Sequence, residues 1–200
     1  MKKAQNKKQG LIFVISGPSG SGKTTLRDRL LQDQFLKKVL AKSVSITTRP
    51  RRSGERSGRD YTFVTETEFL RQKRADQILE YTRYLGHYYA TTKGYLAKQL
   101  SRGKNIVLCL DHNGVRAIKK LYPRSSVSVF VAPPSLAVLK GRISGRCQRT
   151  TCKEINQRLK LARAEIARSK QYDYRIVNRD LDRSVNKLKI IVKKYIQQYS

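Results

Sequence analysis

The eight residues 17–24 constrain this chain more than any other part of its sequence. They read Gly-Pro-Ser-Gly-Ser-Gly-Lys-Thr and follow five consecutive apolar residues, 11–15, which predict a buried strand. The residues from Lys23 onward have the spacing of a helix. The pattern G-x-x-x-x-G-K-[ST] between a strand and a helix is typical of a loop that binds phosphate groups through its backbone N–H groups and the helix N-terminus. The sequence therefore predicts an α/β core with a nucleotide site at this loop.

Within the loop, two side chains have distinct expected roles. Lys23 brings a positive charge to the β- and γ-phosphates, and the Thr24 hydroxyl can bind Mg²⁺. The motif by itself leaves ATPase, GTPase and kinase activity open. The residues expected to hold the donor phosphates are Gly17, Pro18, Ser19, Gly20, Ser21, Gly22, Lys23, Thr24 and Thr25.

Along the rest of the chain, apolar runs alternate with stretches of helical period. Strands are predicted at 11–15, 43–47, 61–64, 78–84, 105–110, 127–132 and 174–177, and helices at 23–36, 66–76, 92–102, 113–121, 135–144, 152–170 and 182–198. This alternation favours a parallel sheet covered by helices on both faces. Residues 43–90 break the rhythm with closely spaced strands, which indicates a small β-rich insertion. Residues 145–153 have no apolar period and are predicted to be a basic loop.

A second motif lies in the insertion. Residues 45–63 match S-x-x-T-R-x-x-R-x-G-E-x-x-G-x-D-Y-x-F, and here the chain resembles the guanylate kinase family. The resemblance extends from about residue 10 to 196. Arg49 and Arg52 can each bind a monophosphate through two hydrogen bonds, and Tyr61 can add a hydroxyl donor. The resemblance also assigns Glu55 to the acceptor site.

The segment from Glu80 to Thr91 resembles a further motif of that family, E-W/Y followed by G-x-Y-Y-G-[ST]. Guanine presents N1–H and an exocyclic amine side by side, so one carboxylate can accept both, and adenine cannot make this pair. Glu80 is therefore the candidate for base selection. Its expected partners at the GMP site are Ser45 and Thr91 as hydroxyl groups, Tyr89 at the phosphate, and Asp111.

The resemblance also implies a lid and a donor-side residue. Arg142, Arg146 and Arg158 match the family's arginines around the lid, which neutralise charge on the phosphoryl group during transfer. Asn178 lies in a run similar to the family's I-V-N-x-D-L-D and is expected beside the ATP adenine. The implied organisation is a P-loop core at 11–42 and 91–200, a GMP-binding insertion at about 43–90, a lid at about 142–158, and a disordered basic tail at 1–10. The implied reaction is ATP plus GMP giving ADP plus GDP with Mg²⁺.

Three departures from the family pattern bear on the rate more than on the reaction class. The family's D-x-D at the end of a core strand is Cys109-Leu110-Asp111 here, and a thiol is a poor partner for Mg²⁺ or its waters. Asp111 is then the one carboxylate of this motif that can interact with Mg²⁺ or its waters. Ala90 replaces the usual glycine beside the base site. The lid is one residue longer than usual.

The charge of the chain is unusual for a small enzyme. There are 44 Lys and Arg against 14 Asp and Glu, a net charge of +30, and the first ten residues hold only four of the basic ones. A positive field of this strength attracts nucleotides, nucleic acid and acidic lipid. Two interpretations stay open: nonspecific binding of nucleic acid or another polyanion, and a basic surface without a binding role. The sequence does not indicate the oligomeric state.

Other expectations concern the compartment and the alternatives. An odd number of cysteines, the absence of an apolar run long enough to span a membrane and the lack of a signal sequence favour a cytoplasmic protein without membrane association. A peptide-binding scaffold that has lost catalysis, and a kinase for another small phosphorylated acceptor, are alternatives. Cys147 and Cys152 also allow a zinc-bound lid, although a second pair of ligands is not evident.

Overall fold

The computed structural model describes residues 10–145 and 151–199. Its strands are β1 (Ile12–Ser16), β2 (Leu40–Lys42), β3 (Ile46–Thr47), β4 (Thr62–Phe63), β5 (Ile78–Tyr84), β6 (His87–Thr92), β7 (Asn105–Cys109), β8 (Ser126–Ala132) and β9 (Tyr174–Val177). Its helices are α1 (Lys23–Leu30), α2 (Leu36–Val39), α3 (Glu66–Arg74), α4 (Lys93–Ser101), α5 (His112–Leu121), α6 (Leu136–Ser144), α7 (Cys152–Ala167) and α8 (Leu181–Tyr199), with a 3-10 turn at Arg168–Gln171.

Five strands form an all-parallel sheet in the order β2-β7-β1-β8-β9. Alternate residues of β1 point to opposite faces. Phe13 and Ile15 pack into one buried cluster with α1 and α8, whereas Ile12 and Val14 pack into a second cluster with α4 and α5. Because both faces are covered by helices, all residues of β1 and β8 are buried. The predicted α/β fold with a covered parallel sheet is confirmed.

A second sheet, of four strands in the order β4-β3-β6-β5, is built from residues 46–92. β3 pairs in parallel with β4 and antiparallel with β6, and β6 pairs antiparallel with β5. Helix α3 covers one side of this sheet with Phe69, whose ring stacks on Tyr88 at 4.4 Å between centroids. Thr65 caps α3 by accepting a hydrogen bond from the N–H of Glu68, as the T-x-x-E spacing predicts.

The local predictions needed three corrections. The helix predicted at 23–36 ends at Leu30, because Asp33 accepts hydrogen bonds from the N–H groups of Phe35 and Leu36 and begins a separate turn. The strands β2 and β6 were missed: β2 has only three residues, and β6 follows β5 through a tight turn at Gly86. The helix predicted at 152–170 ends as an α-helix at Ala167 and continues as the 3-10 turn. None of the described helices is long and apolar enough to cross a bilayer.

Candidate active site

The phosphate-binding loop lies between β1 and α1, as predicted. Gly22 directly precedes α1 with φ of 98°, a left-handed conformation that residues with a Cβ rarely adopt. A Cβ on Gly22 would also lie 2.4 Å from Nδ2 of Asn178. The Lys23 ammonium curls back over the loop and donates to the carbonyls of Gly17, at 2.5 Å, and Pro18, at 2.9 Å. The loop is therefore tightly curled, and the Lys23 ammonium lies over its carbonyl groups.

Asn178 makes hydrogen bonds to this loop and to a neighbouring helix. Its side chain is 5% exposed, and its Nδ2 donates to the carbonyl of Ser21 at 2.8 Å. The carbonyl of Asn178 in turn accepts a hydrogen bond from Nη2 of Arg142 at 3.1 Å. Asn178 therefore connects the loop to α6. Its predicted place beside an adenine stays a prediction.

A cavity of about 450 Å³ opens between the loop and the four-stranded sheet. Fifteen of the predicted site residues line it: Gly17, Ser19, Gly20, Gly22, Lys23, Thr24, Ser45, Arg49, Arg52, Glu55, Tyr61, Glu80, Tyr89, Asp111 and Arg158. Six other described residues of the prediction do not line it: Pro18, Ser21, Thr25, Thr91, Arg142 and Asn178. Arg146 lies outside the described residues, as do Cys147 of the zinc alternative and most of the tail at 1–10. The structure thus brings the loop at 17–25 and the motif that contains Arg49 and Arg52 to one cavity.

The two arginines of the second motif are held by one carboxylate. Nη2 of Arg49 lies 2.8 and 2.9 Å from the two oxygens of Glu55, which also accepts the backbone N–H of Arg52 at 2.8 Å. Burial opposes the charge on Arg49, but the contacts with Glu55 and Tyr89 outweigh it and raise the pKa of the guanidinium. The guanidinium also lies 5.6 Å from the ring centre of Tyr61. Glu55 therefore orients the guanidinium of Arg49 and fixes the backbone at Arg52.

Glu80, in β5, also lines the cavity. It is 8% exposed, and its Oε1 accepts a hydrogen bond of 2.7 Å from the hydroxyl of Thr91 in the adjacent strand. Burial raises the pKa of this carboxyl to about 7, with the charge of Asp111 adding to the shift and the Thr91 hydroxyl opposing it. The group is thus poised between its neutral and charged forms near neutral pH.

Gly114, in the first turn of α5, is the reason that Glu80 can lie where it does. A Cβ at this position would be 2.8 Å from Oε2 of Glu80 and 3.0 Å from the Cβ of Leu110. Asp111 caps the same helix by accepting the N–H of Gly114 at 2.9 Å. The absence of a side chain at 114 therefore lets the Glu80 carboxylate approach the helix N-terminus.

With this geometry in place, the comparisons with known proteins are decisive. A model of the guanylate kinase family matches residues 9–195. The chain belongs to the guanylate kinase family. It is 39% identical over 188 residues to a guanylate kinase of Wolbachia pipientis, covering 94% of this chain and 92% of that one. It is 40% identical over 186 residues to a guanylate kinase of Caldanaerobacter subterraneus, covering 93% and 88%.

A solved structure agrees with this assignment. The crystal structure of guanylate kinase from Anaplasma phagocytophilum superposes with a TM-score of 0.77 at 31% identity, covering 94% of this chain and 87% of that one. The predicted P-loop fold and the resemblance drawn from the two motifs are confirmed.

The departure from the guanylate kinase pattern at Cys109 has a distinct environment. The thiol lines the cavity, and burial raises its pKa, although the nearby charges of Arg27 and Lys23 act in the opposite direction. Arg27 is 5% exposed and pairs with Asp28 at 2.9 Å. A carboxylate at position 109 would therefore face two cations. Ala90, the other departure in the described residues, is buried in β6.

Sequence reasoning missed part of the cavity wall, including Glu154 and Glu165 on α7 and Tyr84 at the end of β5. Glu154 pairs with Arg158 one turn later, and burial raises the pKa of Glu165 despite the nearby charge of Lys23. Positions 154, 158 and 165 lie on one face of a helix, and this spacing of charged residues is the signal that could have identified them. Arg27 was missed because a basic residue in a helix of a basic chain has no distinguishing pattern.

Proposed function

We propose that this chain transfers the γ-phosphoryl group of ATP to GMP, giving ADP and GDP. One observation carries the proposal: a single cavity is lined by a phosphate loop, by a carboxylate that can select guanine and by arginines that can bind a monophosphate. Glu80 would accept N1–H and the exocyclic amine of guanine, while Arg49, Arg52, Tyr61 and Tyr89 would hold the phosphate. Membership of the guanylate kinase family supports the same reaction.

Positioning and charge neutralisation would do most of the catalytic work. The acceptor phosphate is itself largely anionic at neutral pH, so no general base is required for the attack. Lys23 would exchange its contacts with the loop carbonyls for the β- and γ-phosphates of ATP. Arg158, which is held by Glu154, would stabilise the charge on the phosphoryl group as it moves. No covalent intermediate with the protein is needed.

The residues at the donor side are compatible with Mg²⁺. Thr24 and Asp111 line the cavity and offer oxygen atoms, which are the ligands that this hard cation prefers. The described residues contain no group of three or more His, Cys, Asp and Glu side chains suited to a metal. A site completed by water and substrate phosphates therefore suits Mg²⁺ better than a tightly ligated metal. When bound, the ion would neutralise phosphate charge.

We further propose that GMP and ATP bind to different parts of the chain, as the sequence predicts. The four-stranded sheet of residues 46–92 would hold GMP, and the segment at about 142–158 would close over ATP with Arg142, Arg146 and Arg158. Closure would exclude water, which could otherwise accept the phosphoryl group. The cysteine content still favours a cytoplasmic location. A scaffold function without catalysis is disfavoured, because the loop, Lys23 and Thr24 are all present.

An assay of ADP release with ATP, Mg²⁺ and each of GMP, AMP, CMP and UMP tests the proposal. GMP should be turned over far faster than the other three. The Lys23→Ala variant should lose nearly all of this turnover while keeping its circular dichroism spectrum, because the ammonium is lost and the fold is not. Equal rates with AMP and GMP, or near-normal turnover by the folded variant, would contradict the assignment.

A further inference from the structure

The amino ends of four adjacent strands lie in line at the edge of the parallel sheet. In the registers of these strands, Ala41, Ile106, Ile12 and Ser126 occupy the same level of β2, β7, β1 and β8. Neighbouring strands are about 4.8 Å apart, so the loops that precede these four strands lie along a row of about 14 Å. This edge is opposite the one at which the phosphate loop leaves β1.

The segments that lead into these strands, which include α2 and the end of α5, carry exposed basic residues. We call the following set the amino-end row: Lys37 and Lys38 before β2, Arg102 and Lys104 before β7, and Lys120 and Arg124 before β8. Hydrogen bonds connect the loops to one another and to the sheet. Nζ of Lys104 donates to the carbonyl of Lys38 at 2.8 Å, and the N–H of Ile12 donates to the carbonyl of Ser125 at 2.8 Å. The row is therefore a continuous surface.

Acidic residues do not neutralise this surface. Within the described residues, the acids whose ion pairs lie towards this end are Asp33, with Lys189 and Lys193, and Asp173, with Lys119. None of the six residues of the amino-end row takes part in an ion pair among the described residues. Helix C-termini attract basic side chains, which explains one such residue in each segment, but each of the three segments has two.

Two exposed aromatic side chains flank the row. Phe35, 45% exposed, precedes α2 at the β2 end. Tyr199, 49% exposed, donates through its hydroxyl to the carbonyl of Arg124 at the β8 end, with 3.4 Å between the oxygens. Aromatic rings beside a line of cations are the arrangement that binds single-stranded nucleic acid, because bases stack on the rings while phosphates contact the cations.

We propose that the amino-end row is a second, sequence-independent site for single-stranded nucleic acid, separate from the nucleotide cavity. A nucleic-acid strand presents its charges along a line, as the row does, whereas a membrane presents them over a plane. Binding to a membrane surface usually depends on an amphipathic helix that lies in that plane. In the described part of the chain, α1, α4, α5 and α8 end at this edge, and α2, which contributes Lys37 and Lys38, has only four residues. The geometry therefore favours a strand over a lipid surface.

Two matched variants of the full chain test this site. The row variant is Lys37→Gln, Lys38→Gln, Arg102→Gln and Arg124→Gln, which leaves the Lys104 hydrogen bond intact. The control variant is Lys140→Gln, Lys187→Gln, Arg74→Gln and Arg163→Gln, exposed residues on other faces. Each variant loses four positive charges. Fluorescence anisotropy with a labelled single-stranded RNA of about 20 nucleotides, longer than the site of a small domain, gives the affinity over a range of salt concentrations.

The row variant should bind the RNA at least tenfold more weakly than the wild type, and its slope of log affinity against log salt should fall by about 3, the value expected for four lost phosphate contacts. The control variant should keep the wild-type slope, and all three proteins should turn over GMP equally with or without RNA. Equal losses in both variants would mean diffuse attraction and would overturn the proposal. Displacement of the RNA by GMP or ATP would place it in the nucleotide cavity and overturn it too. The proposal would also be overturned if the wild type bound vesicles of anionic phospholipid but not the RNA, and if the row variant lost this vesicle binding.

Discussion

Replacing Glu80 by glutamine tests base recognition and the cost of burying a carboxylate in one experiment. The pKa of Glu80 is about 7 in the folded protein, against an ordinary value of 4.5, chiefly because the group is buried. The folded state therefore holds a proton more tightly than the unfolded state. The stability due to this group is fully present below pH 4.5 and is lost as the pH rises through about 7. At about 1.4 kcal/mol per pH unit, the loss amounts to roughly 2–3 kcal/mol between pH 5 and pH 8.

Glu80→Gln removes the titration without removing the hydrogen-bond acceptor for Thr91. Chemical denaturation of both proteins should show the variant gaining roughly 2–3 kcal/mol over the wild type between pH 5 and pH 8. Glu66→Gln is the control: Glu66 is exposed on α3, in the same part of the chain, and its substitution should not change the pH dependence.

The same substitution, Glu80→Gln, should weaken the binding of GMP. An amide accepts one guanine donor but presents its own NH₂ to the other, a mismatch of about 1–3 kcal/mol that corresponds to a rise in the KM for GMP of about 5- to 150-fold. The KM for ATP should be unchanged. In the wild type, the KM for GMP should fall as the pH rises from 6 to 8, because the carboxylate binds the base. In the variant, only the smaller dependence due to the second ionisation of the GMP phosphate should remain. If the variant retains the full wild-type pH dependence of both stability and KM, Glu80 neither titrates near neutrality nor recognises the base.

Three further substitutions test the surroundings of the cavity. Gly114→Ala should raise the KM for GMP with little effect on ATP, since the added Cβ would displace Glu80; unchanged kinetics would show that the 2.8 Å approach relaxes harmlessly. Cys109→Asp should lower the Mg²⁺ concentration needed for half-maximal rate, because Arg27 and Lys23 can offset the new charge, and a magnesium titration with an equal or higher midpoint would refute this. Asn178→Ala should reduce the free energy of unfolding by about 1–3 kcal/mol, measured by denaturation, because the buried carbonyl of Ser21 loses its donor; an unaltered midpoint would mean that another group replaces it.

Local patterns predicted a large part of the architecture. The parallel core follows from the apolar run 11–15 and the largely apolar run 127–132, because a strand buried on both faces is apolar at nearly every position. Short elements were the failures. β2 has three residues, too few for any periodicity, and it exists because its backbone pairs with β7. The break after Leu30 depends on Asp33 accepting two backbone N–H groups, which competes with continuation of the helix.

The sequence by itself predicted the chemistry that we propose for the site, because two motifs combine the residue types and spacings that phosphate and guanine recognition require. Only the tertiary structure decided how those residues behave. The pKa of Glu80 depends on burial against α5 and on the neighbouring Asp111, groups more than thirty positions away in the chain. The contact of Asn178 with the loop likewise joins residues 157 positions apart. Desolvation and charge coupling depend on distance in space, and a local sequence pattern does not contain that distance.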